Sequence, residues 1–286
     1  MSSAASEGHT APNGSVGRSS RAAGAGIEPA GDSEDLVLYQ LVDGIAVITF
    51  NRADRLNALT RPMRLRLLEL LAKAGDSPDV RVVVLTGAGR AFCAGADRDY
   101  LTTIDAAAIR ALPSQSDVPL DIALRINKPV IAAINGAVAG IGFVYALMAD
   151  IRFAAEDAKF TTAFAKLGLV AEGGLSWLLP RAVGTARALD LLYSARAFNG
   201  IEAKEMGLVQ WTAPADEVLD AAMAYARALA ENSAYSLSQM RKQIYRDWNR
   251  DWDEAYASMQ AMVTESVEQP DFIRAMNERR DRMTTE

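Results

Sequence analysis

Hydrophobic and polar positions alternate in a way that changes character along the chain. Two runs, 36–41 (LVLYQL) and 45–50 (IAVITF), are rich in aliphatic and β-branched residues. The Val42-Asp43-Gly44 between them predicts a β-hairpin. A helix follows, with Thr60 as N-cap, Pro62 in its first turn and Met63, Leu65, Leu67, Leu68, Leu70 and Leu71 as its apolar face. Residues 80–85 read as a buried strand ending in the turn Thr86-Gly87-Ala88-Gly89, and 129–134 as another entering Asn135-Gly136 before a helix that starts near Phe143. Strands that feed glycine turns and then helices predict an α/β domain over 35–200. Beyond it the period becomes helical at 184–194, 215–230, 234–249 and 251–282, with 208–211 as the one strand, so 201–286 reads as a C-terminal helical region. Its helices either cap the core or pack against another subunit.

The first 34 residues break both periods. They are rich in Ser, Ala and Gly and nearly free of large aliphatic residues, which predicts a disordered tail. They lack the apolar core of a secretory signal, and no later stretch offers the apolar length of a membrane span, so a cytoplasmic protein is expected. Thirty basic against 36 acidic residues leave a net charge of −6, which disfavours nucleic acid as a partner. A single cysteine, Cys93, excludes an intrachain disulfide and a cysteine metal cluster. The single histidine, His9, lies in the tail. The α/β domain therefore has no imidazole for a Ser-His-Asp triad, a His-bound zinc or a histidine base, and any proton must move through carboxylates, Tyr, Lys or water. No metal is expected.

Two turns built from small residues carry the chemistry: 91–97 (AFCAGAD) and 135–142 (NGAVAGIG). Small residues let backbone approach a ligand closely, and a turn entering a helix leaves N–H groups unpaired. Amides from both turns, aimed at one point, would form an oxyanion hole; either turn alone is equally a tight strand-to-helix junction. Neither is a phosphate cradle, since the second is not G-x-G-x-x-G and no Lys-Ser or Lys-Thr follows it.

Together with 51–59 (NRADRLNAL), Ala149-Asp150-Ile151, 167–170 and 203–209, in order and spacing, these turns resemble the enoyl-CoA hydratase/isomerase (crotonase) family from about Leu36 to the end. The resemblance implies a spiral of β-β-α repeats and C-terminal helices that drive formation of a homotrimer, often a dimer of trimers. It implies a coenzyme A thioester as substrate, with no separate cofactor. The matching oxyanion donors are the amides of Ala96 and Ile141, the latter standing where the family usually has glycine. Leu56, Asn57 and Ala58, the segment Ala94, Gly95, Ala96, Asp97, Arg98 and Asp99, and Gly140, Ile141 and Phe164 would line the substrate channel.

The chain departs from the family's usual glutamate pair, because Val144 and Phe164 stand at those positions and neither can transfer a proton. Another carboxylate is available in Glu172, between an apolar run and two glycines that open a helix, and it resembles the acid/base of isomerase-type members. Alone, it would read as a charge stabilised at a helix N-terminus. The helix dipole would lower its pKa, while burial against Phe164 and Trp177 would raise it. The expected function is thus an acyl-CoA enzyme that stabilises a thioester enolate and moves a proton with one glutamate, by isomerisation or hydration of an enoyl-CoA. The alternative is a non-catalytic acyl-CoA-binding or scaffold protein. Asp97 is expected to order its loop, Asp150 to make a structural contact, and Cys93 to be a small packed residue. Tyr145 and Tyr100 are each either a core residue or a pocket donor. The mixed run 274–282 is either a solvated face or a contact for coenzyme A phosphates.

Overall fold

The computed structural model describes residues 36–103 and 119–283; the N-terminal segment 1–34 lies outside them. The hairpin forms as β1 (Val37–Val42) and β2 (Ile45–Phe50), paired antiparallel with Val42 opposite Ile45. Asp43 and Gly44 close it at φ +53° and +75°. Thr60 caps α1 (Arg61–Asp76) by accepting the amide of Met63, and the face Met63, Leu67, Leu68, Leu70, Leu71 and Ala74 is buried.

From there the chain winds between two sheets. β3 (Val82–Gly87) lies in a large sheet and β4 (Ala91–Cys93) in a small one; after α2 (Arg98–Thr103) and α3 (Ile122–Arg125) come β5 (Val130–Ile134) and β6 (Ala137–Ala139), again one in each. α4 (Gly140–Met148) leads to β7 (Ile151–Ala155) and β8 (Phe160–Thr161), which repeat the step. Each turn is therefore strand, strand, helix, the β-β-α spiral expected. The large sheet runs β1-β2-β3-β5-β7-β9 and the small one β4-β6-β8, and every pair after the first hairpin is parallel. β2, β3, β4, β5 and β7 are nearly all buried, as their continuous apolar runs require, while the edge strands β1 and β9 are largely uncovered. Phe50 and Phe92 meet edge to face at 5.3 Å across the two sheets.

α5 (Leu175–Val183), α6 (Thr185–Ser194) and α7 (Gly200–Glu205) follow, then β9 (Trp211–Ala213) and α8 (Val218–Ala230), which packs on β2, β3, β5, β7 and β9. Three expectations shift. The last strand lies at Trp211–Ala213 rather than 208–211, because Leu208 and Val209 are buried ahead of it and the pairing partner of Trp211 is Phe153. The helix after the second turn begins at Gly140, three residues before Phe143, since Ala139 is still extended at φ −147° and the chain turns at Gly140. The segment 251–282 is two helices, α10 (Trp252–Val267) and α11 (Pro270–Met283), because Pro270 has no N–H to continue a helix and opens a new one.

α9 (Ala234–Asp247), α10 and α11 contain no buried residue in the single chain. Met240, Ile244, Trp252, Val263 and Ile273 are each at least half exposed. A polar clasp anchors α9: the Arg241 guanidinium donates to the carbonyls of Ala123, Leu124 and Ile126 and to the Asp150 carboxylate, which also accepts from the Val130 amide and the Tyr245 hydroxyl. Asp150 thus makes the structural contact expected of it. No helix among the described residues is long and apolar enough to cross a membrane.

Candidate active site

The site is built where the two small-residue turns meet. β4 pairs with β6 in parallel, Ala91 opposite Ala137 and Cys93 opposite Val138, so their C-terminal ends emerge side by side. Gly95 (φ +102°) and Gly140 (φ +50°) then bend the chain in conformations that L side chains rarely adopt. A β-carbon on Gly95 would lie 3.0 Å from Ala139 O and 3.7 Å from Gly140 Cα. The residues immediately preceding Ala96 and Ile141 are therefore in backbone contact.

Among the described residues neither the Ala96 amide nor the Ile141 amide has a backbone acceptor. Ala96 forms a parallel bridge with Leu59, in which Leu59 N donates to Gly95 O at 2.7 Å and Asp97 N donates to Leu59 O at 2.9 Å. In such a bridge the central residue's own N–H faces away from its partner. Ile141 is the second residue of α4, and an N–H in the first turn of a helix has no intrahelical acceptor. Both residues are partly buried.

Arg52, Asn57, Asp97 and Asn135 hold this backbone in place. The Asn57 side chain is fully buried, donates to Ala88 O and Ala91 O at 3.0 and 2.7 Å, and accepts the Arg52 amide at 2.8 Å. Its side chain is thus a strut between the loop and the end of β4. Leu56 and Asn57 both sit at positive φ, +52° and +57°, and Leu56 O accepts from the Ala94 amide. Such backbone strain persists only where surrounding bonds over-determine it. Arg52 donates to Ala58 O and pairs with Asp97, whose other oxygen accepts the Asp99 amide at 2.9 Å. Burial raises the Asp97 pKa, but the Arg52 hydrogen bond and charge and the amides of Asp99 and Tyr100 outweigh it and hold the carboxyl below its usual value. Asp97 orders its loop, as expected. Arg52 and Asn135, which ties Gly87 and Gly89 together, had no role assigned from sequence; the local signal for each is a polar residue set beside a strand end.

The other residues sort by exposure. Arg98 and Asp99 are exposed; Ala58, Ala94 and Gly140 are partly buried; Phe164 is 4% exposed and belongs to the core. Val144 is also wholly buried. Burial pushes the Cys93 thiol up to about 12, so it stays protonated and serves as packing.

Glu172 lies on the loop before α5, with its carbonyl accepting the Leu175 amide and Gly174 at φ +77° turning into the helix. A β-carbon on Gly173 would lie 2.7 Å from Val144 Cγ1 and 3.5 Å from Ile141 Cδ1, so this loop rests on the first turns of α4. One expectation fails: Glu172 is exposed in the single chain rather than buried against Phe164 and Trp177. Trp177 instead meets Trp248, which caps the C-terminus of α9, at 4.7 Å and carries the Arg181 guanidinium 4.2 Å over its ring.

A spiral of β-β-α turns laid between a six-stranded and a three-stranded sheet defines a crotonase-fold protein. The chain belongs to the enoyl-CoA hydratase/isomerase family, whose profile matches residues 40–282. It is 38% identical over 215 residues to the 1,2-epoxyphenylacetyl-CoA isomerase of Escherichia coli, covering 73% of this chain and 82% of that one. It is 39% identical over 210 residues to the probable enoyl-CoA hydratase EchA12 of Mycobacterium tuberculosis, covering 70% and 73%. The crystal structure of an enoyl-CoA hydratase from Bacillus anthracis superposes with a TM-score of 0.81 at 26% identity, covering 86% of this chain and 96% of that one. A hydratase or isomerase acting on acyl-CoA follows from this membership, and the binding-only alternative is not favoured.

Proposed function

We propose that the protein moves a double bond along the acyl chain of an enoyl-CoA, with Ala96 and Ile141 holding the thioester oxygen and Glu172 carrying the proton. The observation that supports this most is the contact of Gly173 with Val144 and Ile141, which sets the Glu172 loop beside the oxyanion turn. Glu172 takes a proton from the α carbon of a 3-enoyl ester, or in the reverse direction from the γ carbon of the 2-enoyl ester. The electron pair of the broken C–H bond enters the conjugated system, and negative charge accumulates on the thioester oxygen. Two fixed N–H dipoles stabilise that charge without reorienting. The same carboxyl then returns the proton at the other carbon. Nothing is oxidised or reduced, so coenzyme A as part of the substrate is the only cofactor chemistry required. Hydration needs a second group to position water, and buried Val144 and Phe164 offer none.

The exposure of Glu172 is relieved in a homotrimer or a dimer of trimers. Leu167, Leu169 and Val170, just ahead of it, are 58%, 39% and 81% exposed, and α9 to α11 present further uncovered apolar residues. Apolar surface of this extent marks a subunit contact. The single cysteine, buried and unpaired, suits a reducing compartment, and we place the protein in the cytoplasm.

Glu172→Gln tests the reading. Conversion of 3-hexenoyl-CoA to the conjugated 2-enoyl ester should fall by about 10²–10⁴-fold while ester binding stays within a few-fold of the parent. Undiminished turnover would reject Glu172 as the proton carrier.

A further inference from the structure

Between α9 and the core lies a cavity of about 490 Å³, a size that takes a small molecule. Its apolar walls are Leu147 at the end of α4, Ile151 in β7, Leu178 in α5, Leu229 in α8, and Met240 and Ile244 in α9. It is separate from the paired turns, since neither Ala96, Ile141 nor Glu172 lines it.

Charge inside this apolar shell is unbalanced. Three guanidiniums line it, those of Arg152, Arg181 and Arg241, against the one carboxylate of Asp150. Both oxygens of Asp150 are already engaged, by Arg241, the Tyr245 hydroxyl and the Val130 amide. Arg152 is 8% exposed and makes no ion pair among the described residues. Its Nε and Nη1 donate to the carbonyls of Leu208 and Ala149, and its Nη2 has no acceptor among them. Burial lowers its pKa against the pull of Tyr245 and Asp150, yet a guanidinium stays charged at neutral pH. Gln210 is paired to the same residue: its Oε1 accepts the Arg152 amide at 2.9 Å and its own amide donates to Arg152 O at 3.0 Å. The Gln210 Nε2 is therefore a second donor on this wall of the cavity without a partner among the described residues. A buried cation is ordinarily paired, and here two donors and an unpaired charge suit the two oxygens of an anion brought from outside.

We propose that this cavity binds an unesterified carboxylic acid with a hydrocarbon body, its carboxylate on Arg152 and Gln210 and its chain along the wall formed by the leucines and α9. Esterification to coenzyme A would remove the charged head, so the ligand is distinct from the thioester substrate and the inference stands independently of the acyl-CoA reading.

The test is calorimetry on the full chain with octanoate, 1-octanol and acetate, each with and without saturating hexanoyl-CoA. Octanoate should bind once per chain, about ten- to a hundred-fold more tightly than 1-octanol, and equally in both conditions. Acetate, which lacks the apolar body, should show no binding at the same concentrations. Gln210→Glu keeps the oxygen that accepts the Arg152 amide but replaces the donor with a negative charge; it should fold as the parent does and bring octanoate down to the affinity of 1-octanol. Ile244→Trp fills the cavity from the exposed face of α9 and should weaken octanoate and 1-octanol alike. Competition between octanoate and hexanoyl-CoA would put the acid in the catalytic pocket and overturn the proposal. Equal affinity for octanoate and 1-octanol, octanoate binding undiminished by Gln210→Glu, or no octanoate binding, as when a second subunit closes the cavity, would overturn it too. Octanoate binding without any binding of hexanoyl-CoA would remove the acyl-CoA reading and leave this one standing.

Discussion

Gly95→Ala is the most direct test of the paired turns. At φ +102° an L residue is strained by about 1–3 kcal/mol. The added β-carbon would stand 3.0 Å from Ala139 O and 3.5 Å from its carbonyl carbon, both backbone atoms that cannot rotate aside. Crowding of this kind adds about 1 kcal/mol. The sum, about 2–4 kcal/mol, is tolerable against the roughly 5–15 kcal/mol of a typical domain, so the variant should fold with a lower urea midpoint. The strain is relieved only by parting the two turns, which carries the Ala96 amide away from that of Ile141. Loss of one oxyanion donor costs about 10²–10³ in rate, so kcat should fall by that order. Gly207→Ala is the control: its φ is +80°, but the nearest atom is Ala182 O at 3.7 Å, an ordinary contact. It should lose about 1 kcal/mol or somewhat more of stability and keep its kcat. A folded Gly95→Ala protein with the control's kcat would refute the claim that contact between the turns aligns the donors.

Two further outcomes follow from the ion pairs. The Asp97 pKa is lower folded than unfolded, so its contribution to stability is complete above the unfolded value near 4 and is lost as pH falls through the folded one. Asp97→Asn should therefore flatten the acid limb of a stability-against-pH curve below about pH 4 and lower neutral stability by about 3 kcal/mol, since Arg52 is left unpaired; an unchanged acid limb would discount the pair. Asp150→Ala strips acceptors from Arg241, Tyr245 and the Val130 amide at once, and should cost about 3–5 kcal/mol by chemical denaturation, with increased proteolysis in α9. A loss below about 1 kcal/mol would show that α9 is held by something other than this clasp.

What the sequence settles on its own is local. The hairpin at 42–44, the Thr60 cap and the strand-to-turn junctions are legible because each depends on residues within a few positions of one another. The two small-residue turns were legible for the same reason, since Gly95 and Gly140 mark the bends within each run. Tertiary structure decides what those pieces meet. The Asn57 side chain is a buried strut, a role invisible in the chain because its acceptors are 31 and 34 residues away. Arg52 finds Asp97 45 residues on, and Arg241 finds Asp150 across 91. Glu172 shows the limit most clearly: apolar neighbours in sequence suggested burial, yet Trp177 turns to Trp248 and leaves the carboxylate exposed. Burial is a property of all surfaces that close over a side chain, and a run of neighbouring residues contains only the first of them.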